Sequence, residues 1–310
     1  MWPAGTLCIT IAANIADTAI LAFDACFPDS VIGFQADDQK ADARFLKYLF
    51  DATIQQQAKQ FSQGATQDNL SQEKLLSIEL LTPEIDVQRR LADVLADYDD
   101  LIDNNRRRIK LLKDAVRLLF SEWFARLRFP GRELAAVVDG VPAGWTSEPL
   151  GASVVLRYGK ALKAEDRSAD GAVPVYGSSG VVGTHDKAMV PGPAIVVGRK
   201  GNVGSVFWCA RNFWPIDTVY FVDAQTSDLY LYYALQNMHF ISTDVAVPGL
   251  NRDFAYSRTL LSPPAQLRAR FLEVAGPIHE QIVALSAMSG KLRTARDLLL
   301  PRLMSGELTV

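Results

Sequence analysis

Histidine and cysteine are scarce in this chain, three of each among 310 residues, and their settings exclude most catalytic chemistry. His185, His239 and His279 stand away from any cysteine, from a Gly-x-Ser-x-Gly elbow and from a His-Glu-x-x-His pair. Cys8, Cys26 and Cys209 lie singly in apolar stretches without Cys-x-x-Cys spacing, which predicts buried structural thiols and no disulfide framework. Also missing are an Asn-Pro-Pro-Tyr/Phe methyltransferase motif, a phosphate loop ending in Gly-Lys-Ser/Thr, and nuclease motifs. No turnover is expected of the chain alone. A basic excess is lacking as well: the formal net charge is −3, where an independent nucleic-acid-binding domain carries a surplus of Lys and Arg. Long hydrophobic runs are absent too. The patch from Ile9 to Ile15 is too short, and too interrupted by Thr10 and Asn14, to cross a bilayer, so a soluble, cytoplasmic protein is expected.

What the chain does have is a repeat at a constant offset of 180 positions. Thr82-Pro83 answers Ser262-Pro263. The series Val87, Leu91, Val94, Tyr98, Ile102, Asn105, Ile109, Leu112, Val116, Leu119 and Trp123 then meets Leu267, Phe271, Val274, Ile278, Ile282, Leu285, Ser289, Leu292, Arg296, Leu299 and Leu303. The steps run 4, 3, 4, 4, 3, 4, 3, 4, 3, 4, a heptad series with one four-residue stutter in the same place in both copies. A lone stripe of this kind is usually the buried face of a core helix. Two copies in register predict two long coiled-coil helices, each reaching roughly 60 Å at ~1.5 Å per residue. Asn105, in a core position, either sets register or faces solvent. Gly276-Pro277 is expected to kink or interrupt the second helix.

Residues outside the helices read as short strands and turns. In the second region the β-rich runs are Ser153 to Tyr158, Ala172 to Tyr176, Ala194 to Val197, Gly204 to Trp208 and Asp217 to Val222, followed by a helix over Ser227 to Met238. The first region gives strands over Thr6 to Ala12, Thr18 to Phe23 and Ser30 to Phe34, then a helix from Ala41 to Phe61. The expected organisation is a first globule over 1–81, a central helix over 82–130, a second globule over 131–262 and a C-terminal helix over 263–310. This is an α+β architecture: two mixed, mostly β globules separated by two long antiparallel coiled-coil helices in a pseudo-twofold repeat. If Gly5 pairs with Gly192, the first globule has no counterpart of residues 145–191. An N-terminally truncated chain, with uncovered sheet edges, is the expectation.

Four strings, in order, carry a resemblance: Val173-Pro174-Val175-Tyr176-Gly177-Ser178-Ser179-Gly180, Gly198-Arg199-Lys200-Gly201-Asn202-Val203-Gly204, Trp214-Pro215-Ile216-Asp217-Thr218 and Val247-Pro248-Gly249-Leu250-Asn251-Arg252. With Asp103-Asn104-Asn105-Arg106, Leu118-Leu119-Phe120-Ser121-Glu122-Trp123-Phe124 and the C-terminal Leu300-Pro301-Arg302-Leu303-Met304-Ser305-Gly306-Glu307-Leu308, the chain resembles the specificity subunit of Type I restriction-modification enzymes over nearly its whole length. It departs at the front of the first recognition domain. The resemblance implies a subunit without chemistry of its own whose two target recognition domains, the first incomplete, each read half of a split sequence in double-stranded DNA. It further implies adenine-N6 methyltransferase subunits and ATP-driven restriction/translocase subunits as partners. S-adenosylmethionine, ATP and Mg are then used by those partners, and no cofactor, metal or catalytic residue is expected in this chain. Truncation adds a second copy of the chain, or a separately encoded N-terminal fragment, as further partners.

Direct readout needs Arg or Lys for guanine and Asn or Gln for adenine. Loops of the second globule offer Ser178, Ser179, His185, Arg199, Lys200, Asn202, Asn251 and Arg252 as DNA-contacting candidates, with glycines beside them that let backbone approach phosphate. Asn14, Gln67 and Asn69 hold the comparable places in the first globule. Each has a blander use: Gly198 to Gly204 also reads as a plain turn between strands. Arg106-Arg107-Arg108 with Lys110 and Lys113 reads as a solvated helix face or as a docking surface. Two readings from other directions stand beside the DNA reading. One is a non-catalytic scaffold on a coiled-coil stalk, with Tyr176, Trp208, Trp214 and Tyr230 lining a protein or glycan surface. The other is an inactive truncated specificity subunit.

Overall fold

The computed structural model describes residues 1–12, 16–62, 72–138, 140–241 and 249–309, and the chain divides into two compact units. Unit 1 comprises Met1–Ile109 and Leu285–Val310; unit 2 comprises Lys110–Ala284.

In unit 1, strand β1 (Leu7–Thr10) lies between β2 (Thr18–Ile20) and β3 (Val31–Phe34) in an antiparallel sheet. Alternation along β1 turns Leu7 and Ile9 into a core with Phe45, Leu46 and Leu49 of helix α1 (Ala43–Ser62). A short helix α2 (Gln72–Leu76) and an extended stretch lead into helix α3 (Ile85–Phe120). Leu91 and Leu95 of α3 meet Leu303 of the chain's last helix, and one turn further along Arg296 of that helix pairs with Asp99. Rising numbers on one helix meet falling numbers on the other, so the pair is antiparallel here. Asp99 also accepts the Tyr48 hydroxyl at 2.7 Å. Burial first, and the carboxylate second, hold that phenol far above its ordinary pKa. Gln88, 1% exposed, closes the entry to α3: its Oε1 accepts from the Asp42 amide at 3.1 Å, and its Nε2 donates to the carbonyls of Lys40 at 3.1 Å and Pro83 at 2.8 Å.

Unit 2 begins on the end of α3, which widens into a π-helical turn at Ser121–Ala125. Its strands are β4 (Val137–Val138), β5 (Val141–Pro142), β6 (Thr146–Pro149), β7 (Arg157–Tyr158), β8 (Val173–Gly177), β9 (Gly180–His185), β10 (Ala194–Gly198), β11 (Val206–Cys209), β12 (Trp214–Pro215) and β13 (Val219–Val222). Helices α4 (Leu229–Asn237) and α5 (Arg252–Tyr256), strand β14 (Thr259–Ser262) and helix α6 (Ala265–Met304) complete the chain. The main sheet runs β11-β10-β13-β7, a second runs β12-β8-β9, and β14 pairs with β6. The central strands β10 and β13 are apolar on both faces. Ile195, Val197, Tyr220 and Val222 point to a core with α4 and with Phe120, Phe124 and Phe271; Ala194, Val196, Val219 and Phe221 point to a smaller core with Val190, Cys209 and Phe213. Sequential residues supply opposite cores, which is why Ala194 to Val197 reads as an unbroken hydrophobic run.

The helical series is buried or half-buried at every position of the first copy. Asn105 is inside, 4% exposed, with its Nδ2 unpartnered among the described residues. Ser289, also buried, donates to the Leu285 carbonyl at 2.9 Å. The second copy departs at Val274, which is 44% exposed, while Ala275 is fully buried. The buried face steps 271, 275, 279, 282, so the stutter falls one turn earlier than the heptad series predicts. Gly276-Pro277 does not interrupt α6, which is continuous from Ala265 to Met304, with Pro277 exposed. Two further expectations fail. Residues 153–156 form no strand, because Leu150–Ala152 makes a 3-10 turn and the Leu156 amide goes instead to the Tyr256 hydroxyl at 3.0 Å. Cys26 is exposed, in the bend-rich connection after β2.

Two of these buried polar groups lend themselves to stability measurements. Gln88→Leu leaves three backbone groups without partners and is expected to cost about 2–4 kcal/mol in denaturant titration; an unchanged midpoint would show that water serves them equally well. His279, buried, shares a 2.8 Å hydrogen bond with the Tyr233 hydroxyl, and burial, with Lys113 nearby, lowers its pKa to about 4. The neutral ring is the folded form, so this site contributes its full stability above about pH 6.5, the unfolded value, and loses it as pH falls toward 4. The loss should amount to at most about 3 kcal/mol and should shrink in His279→Phe when melts are compared across that window.

Candidate functional site

The loop that follows β10 organises one end of unit 2. Gly198 ends the strand where a Cβ would lie 2.2 Å from the Asn202 carbonyl oxygen and 2.3 Å from Ser205 Oγ, so only glycine lets the loop fold back this tightly. Gly201 and Gly204 follow at φ 76° and 77°, in the left-handed region. Ser205 Oγ then donates to the Ser178 carbonyl at 2.6 Å, tying the loop to the turn between β8 and β9. Backbone bonds fix its other side: the Arg199 and Lys200 amides reach the Thr218 carbonyl at 2.9 and 3.0 Å, and the Leu250 amide donates to the Arg199 carbonyl at 2.8 Å. Lys200 and Gly249 form a β-bridge.

Side chains at this end are mostly basic and aromatic. The Arg199 guanidinium donates through Nε and Nη2 to the Asp217 carbonyl at 3.2 and 2.8 Å, and it lies 5.3 Å from the Tyr158 ring centre and 5.9 Å from that of Tyr220. Arg252 lies 5.2 Å from the Tyr158 ring centre. Tyr158, 49% exposed, is thus shared by two guanidinium groups, a contact worth about 0.5–1 kcal/mol at such exposed sites. Tyr220 donates to the Leu250 carbonyl at 3.0 Å; burial, with the Tyr158 hydroxyl adding, pushes its pKa up to about 12, so it stays a donor at neutral pH. Arg199, Lys200 and Arg252 make no ion pair among the described residues.

The expected contact residues divide accordingly. Arg199, Lys200, Asn251 and Arg252 come together around Tyr158 and Leu250. Ser178 and Asn202 meet at the other side of the same loop, where the Asn202 amide lies 3.4 Å from Ser178 Oγ. Ser179, Lys200, Asn202 and Arg252 are exposed, whereas Ser178 is buried. Asn251 is occupied structurally, since its Oδ1 caps α5 by accepting from the Asp253 and Phe254 amides at 2.8 and 3.2 Å. His185 stands at the opposite end of β9 from the Ser178-Ser179 turn. Its ring meets Trp214 edge-on at 5.4 Å, and its Nδ1 is buried without a partner among the described residues. Asn14, Gln67 and Asn69 lie outside the described residues. Tyr158 was not singled out by sequence, although its setting Arg157-Tyr158-Gly159-Lys160, an aromatic among basic residues before a glycine, was the available signal.

Two other expectations can be placed. Tyr230 is buried, and Tyr176, Trp208 and Trp214 are half-buried. Tyr176 packs on Phe213, Trp208 on Tyr232 and Tyr230 on Phe124, which is core packing and not an open ligand surface. Among the described residues no group of three or more His, Cys, Asp or Glu could hold a metal ion, and no helix is long and apolar enough to cross a membrane. Burial raises the pKa of the Cys209 thiol, and that of Cys8, keeping both protonated.

Comparison with known proteins gives three findings. Residues 2–114 match the Type I restriction modification DNA specificity domain. The Type I restriction enzyme MjaIX specificity subunit of Methanocaldococcus jannaschii is 24% identical, over 86% of this chain and 69% of that protein. The crystal structure of the S subunit of a Type I restriction-modification system from M. genitalium superposes with a TM-score of 0.61 at 16% identity, covering 98% of this chain and 83% of that one; it shares the fold, mixed helix and sheet with long helices between β-rich parts. The tightness of the loop itself is testable: Gly198→Ala should destabilise unit 2 by about 1–3 kcal/mol through the overpacking at Asn202, and a wild-type melting temperature would mean that the loop can open without loss.

Proposed function

We infer that this chain is the specificity subunit of a Type I restriction-modification system and that the loop end of unit 2 reads DNA. The observation that carries the second part is the Arg199-Tyr158-Arg252 cluster, two guanidinium groups ordered on one aromatic ring and in no ion pair among the described residues. Arg is suited to bidentate recognition of guanine, and Lys to phosphate. The two arginines are not equivalent. Among the described residues Arg199 commits Nε and Nη2 to Asp217 and makes no hydrogen bond through Nη1, while Arg252 is exposed and has only ring contacts. Arg252 therefore retains the full fork that base readout requires, and Arg199 shapes the surface beside it. Lys200 is the phosphate contact. Stacking on Tyr158 limits the rotamers of Arg252 before DNA arrives, which lowers the entropy lost on binding.

The net charge of −3 gives no long-range attraction to DNA. In this reading the affinity comes from an assembly. Methyltransferase subunits supply S-adenosylmethionine chemistry at adenine N6 and share the phosphate contacts; restriction subunits supply ATP-driven translocation and cleavage; this chain supplies the address and no turnover, working in the cytoplasm where the DNA is.

The test uses the chain assembled with its methyltransferase subunits. Arg252→Ala should cost about 1–3 kcal/mol of discrimination at one base pair, visible as degenerate methylation at one position of the recognised motif. Lys200→Ala should weaken all sequences alike and reduce the slope of log K against log salt by about 1. Unchanged motif and unchanged salt slope in both variants would discard this surface.

A further inference from the structure

The hairpin of β8 and β9 is regular except at one point. Gly177 faces Gly180 and Tyr176 faces Val181, but Val175 faces Gly183, so Val182 has no partner across the ladder. A bulge of this kind bends its strand and re-aims side chains. Alternation on a half-buried strand turns one of two successive residues inward; here both are exposed, Val181 at 56% and Val182 at 37%. The bulge is held in place from outside the hairpin. Arg167 donates through Nη1 to the Val182 carbonyl at 2.9 Å and through Nη2 to the Leu162 carbonyl at 3.3 Å. Its stem lies against Gly183, where a Cβ would come within 3.1 Å of Arg167 Cδ. One residue on, the Ser168 amide donates to the Thr184 carbonyl at 3.1 Å, and the Thr184 hydroxyl returns a bond to the Ser168 carbonyl at 2.6 Å.

Two exposed valines say little by themselves, since single apolar residues are common on protein surfaces. Their neighbours say what covers them. The turn of the same hairpin is joined to the loop after β10: Ser205 Oγ donates to the Ser178 carbonyl at 2.6 Å, and a Cβ on Gly201 would lie 3.2 Å from Ser178 Oγ. The valines thus continue the surface on which Ser179, Lys200 and Asn202 are exposed. Arg167 on one side and Lys200 on the other are in no ion pair among the described residues. An apolar patch between such cations suits a polyanion that carries apolar groups between its phosphates. Duplex DNA has that pattern in its major groove, where thymine alone of the four bases presents a methyl group and where a two-stranded β-ribbon fits.

We propose that the β8-β9 hairpin enters the major groove and that Val181 and Val182 determine specificity there by packing on thymine 5-methyl groups. The inference rests on the reading of unit 2 as a DNA surface and adds a second kind of contact to it: the guanidinium of Arg252 selects guanine by hydrogen bonds, and the bulged valines select thymine by shape and by removal of a methyl group from water.

The test uses the chain assembled with its methyltransferase subunits and duplexes carrying the recognised motif, with each thymine in turn replaced by uracil, which lacks only the 5-methyl group. Uracil at one or two positions should weaken binding about three- to fivefold, the share of one methyl group withdrawn from water. Val181→Ala combined with Val182→Ala should bring the thymine and uracil duplexes within about twofold of each other, as in a double-mutant cycle where one partner of the contact is already gone. The melting temperature and the salt slope of that variant should stay those of wild type, because exposed positions carry little folding energy and no phosphate contact is removed. Tolerance of uracil at every thymine, with Arg252→Ala and Lys200→Ala responding as described above, would overturn this inference and leave the DNA reading standing; no response in any of these experiments would overturn both. A double valine variant that keeps its preference for thymine would place the methyl contact elsewhere, and one that fails to assemble with the methyltransferase subunits would make the valines a protein contact. Either result overturns the proposal.

Discussion

Unit 2 depends on an aromatic knot. Phe120 and Phe124 at the end of α3, Tyr230 and Tyr233 of α4 and Phe271 of α6 lie with ring centres 4.9 to 6.2 Å apart, most of them edge-on or tilted. Such geometry adds about 0.5–1.5 kcal/mol per pair beyond the area each ring buries. The knot fastens the β-rich part to two long helices that would otherwise expose an apolar stripe. The π-helical turn at Ser121–Ala125 falls within it: one extra residue in the turn changes which side chains point inward, and Phe120 and Phe124 are both buried while Trp123 is half-buried. Unit 1 solves the same problem with aliphatic residues, Leu91, Leu95 and Leu303 around Phe45 and Leu49, and adds the ion pair between Asp99 and Arg296.

The long helices were legible in the sequence because their signal is redundant: two copies of one spacing, each many turns long, admit few other structures. Where the reading failed, a local feature outweighed the average. The buried stripe of α6 moves from Val274 to Ala275 because an α-helix has 3.6 residues per turn and a heptad series drifts against it, and a single residue of drift is finer than a hydrophobic pattern can register. Strands were found in the long apolar runs of β10 and β13, missed at β4 and β9 despite Val137-Val138 and Val181-Val182, and misjudged at 153–156, where the 3-10 turn at Leu150 and the Tyr256 hydroxyl take the backbone bonds. Those competitors lie about 100 positions away in one case and cannot be read from a window of local sequence.

The site was legible only as a set of loops. Glycines marked the turns, and Gly198 bears this out, since its neighbours leave no room for a methyl group. What the loops bring together was not legible. Tyr158 reaches Arg199 and Arg252 across more than 40 and 90 positions of sequence, and strand β7, which carries it, is anchored by β13 through the pair Tyr158 and Tyr220. Asn251 reads as a base-contacting amide by residue type, yet one of its atoms is spent on a helix cap. His185 shares a strand with the Ser178-Ser179 turn and faces away from it by the strand's full length. Residue type nominates candidates, and pairing register decides which of them meet.

The division between residues that hold unit 2 and residues that present its surface has a consequence for how such a protein can change. Gly198, Ser205, Tyr220 and Leu250 fix the loops through backbone and buried contacts, whereas Ser179, Lys200, Asn202 and Arg252 are exposed. Substitutions at exposed positions of this kind usually change stability by no more than about 0.5 kcal/mol. Mutational drift at those four positions is therefore nearly free of a folding penalty, and a lineage can explore new surfaces one residue at a time without passing through unfolded intermediates.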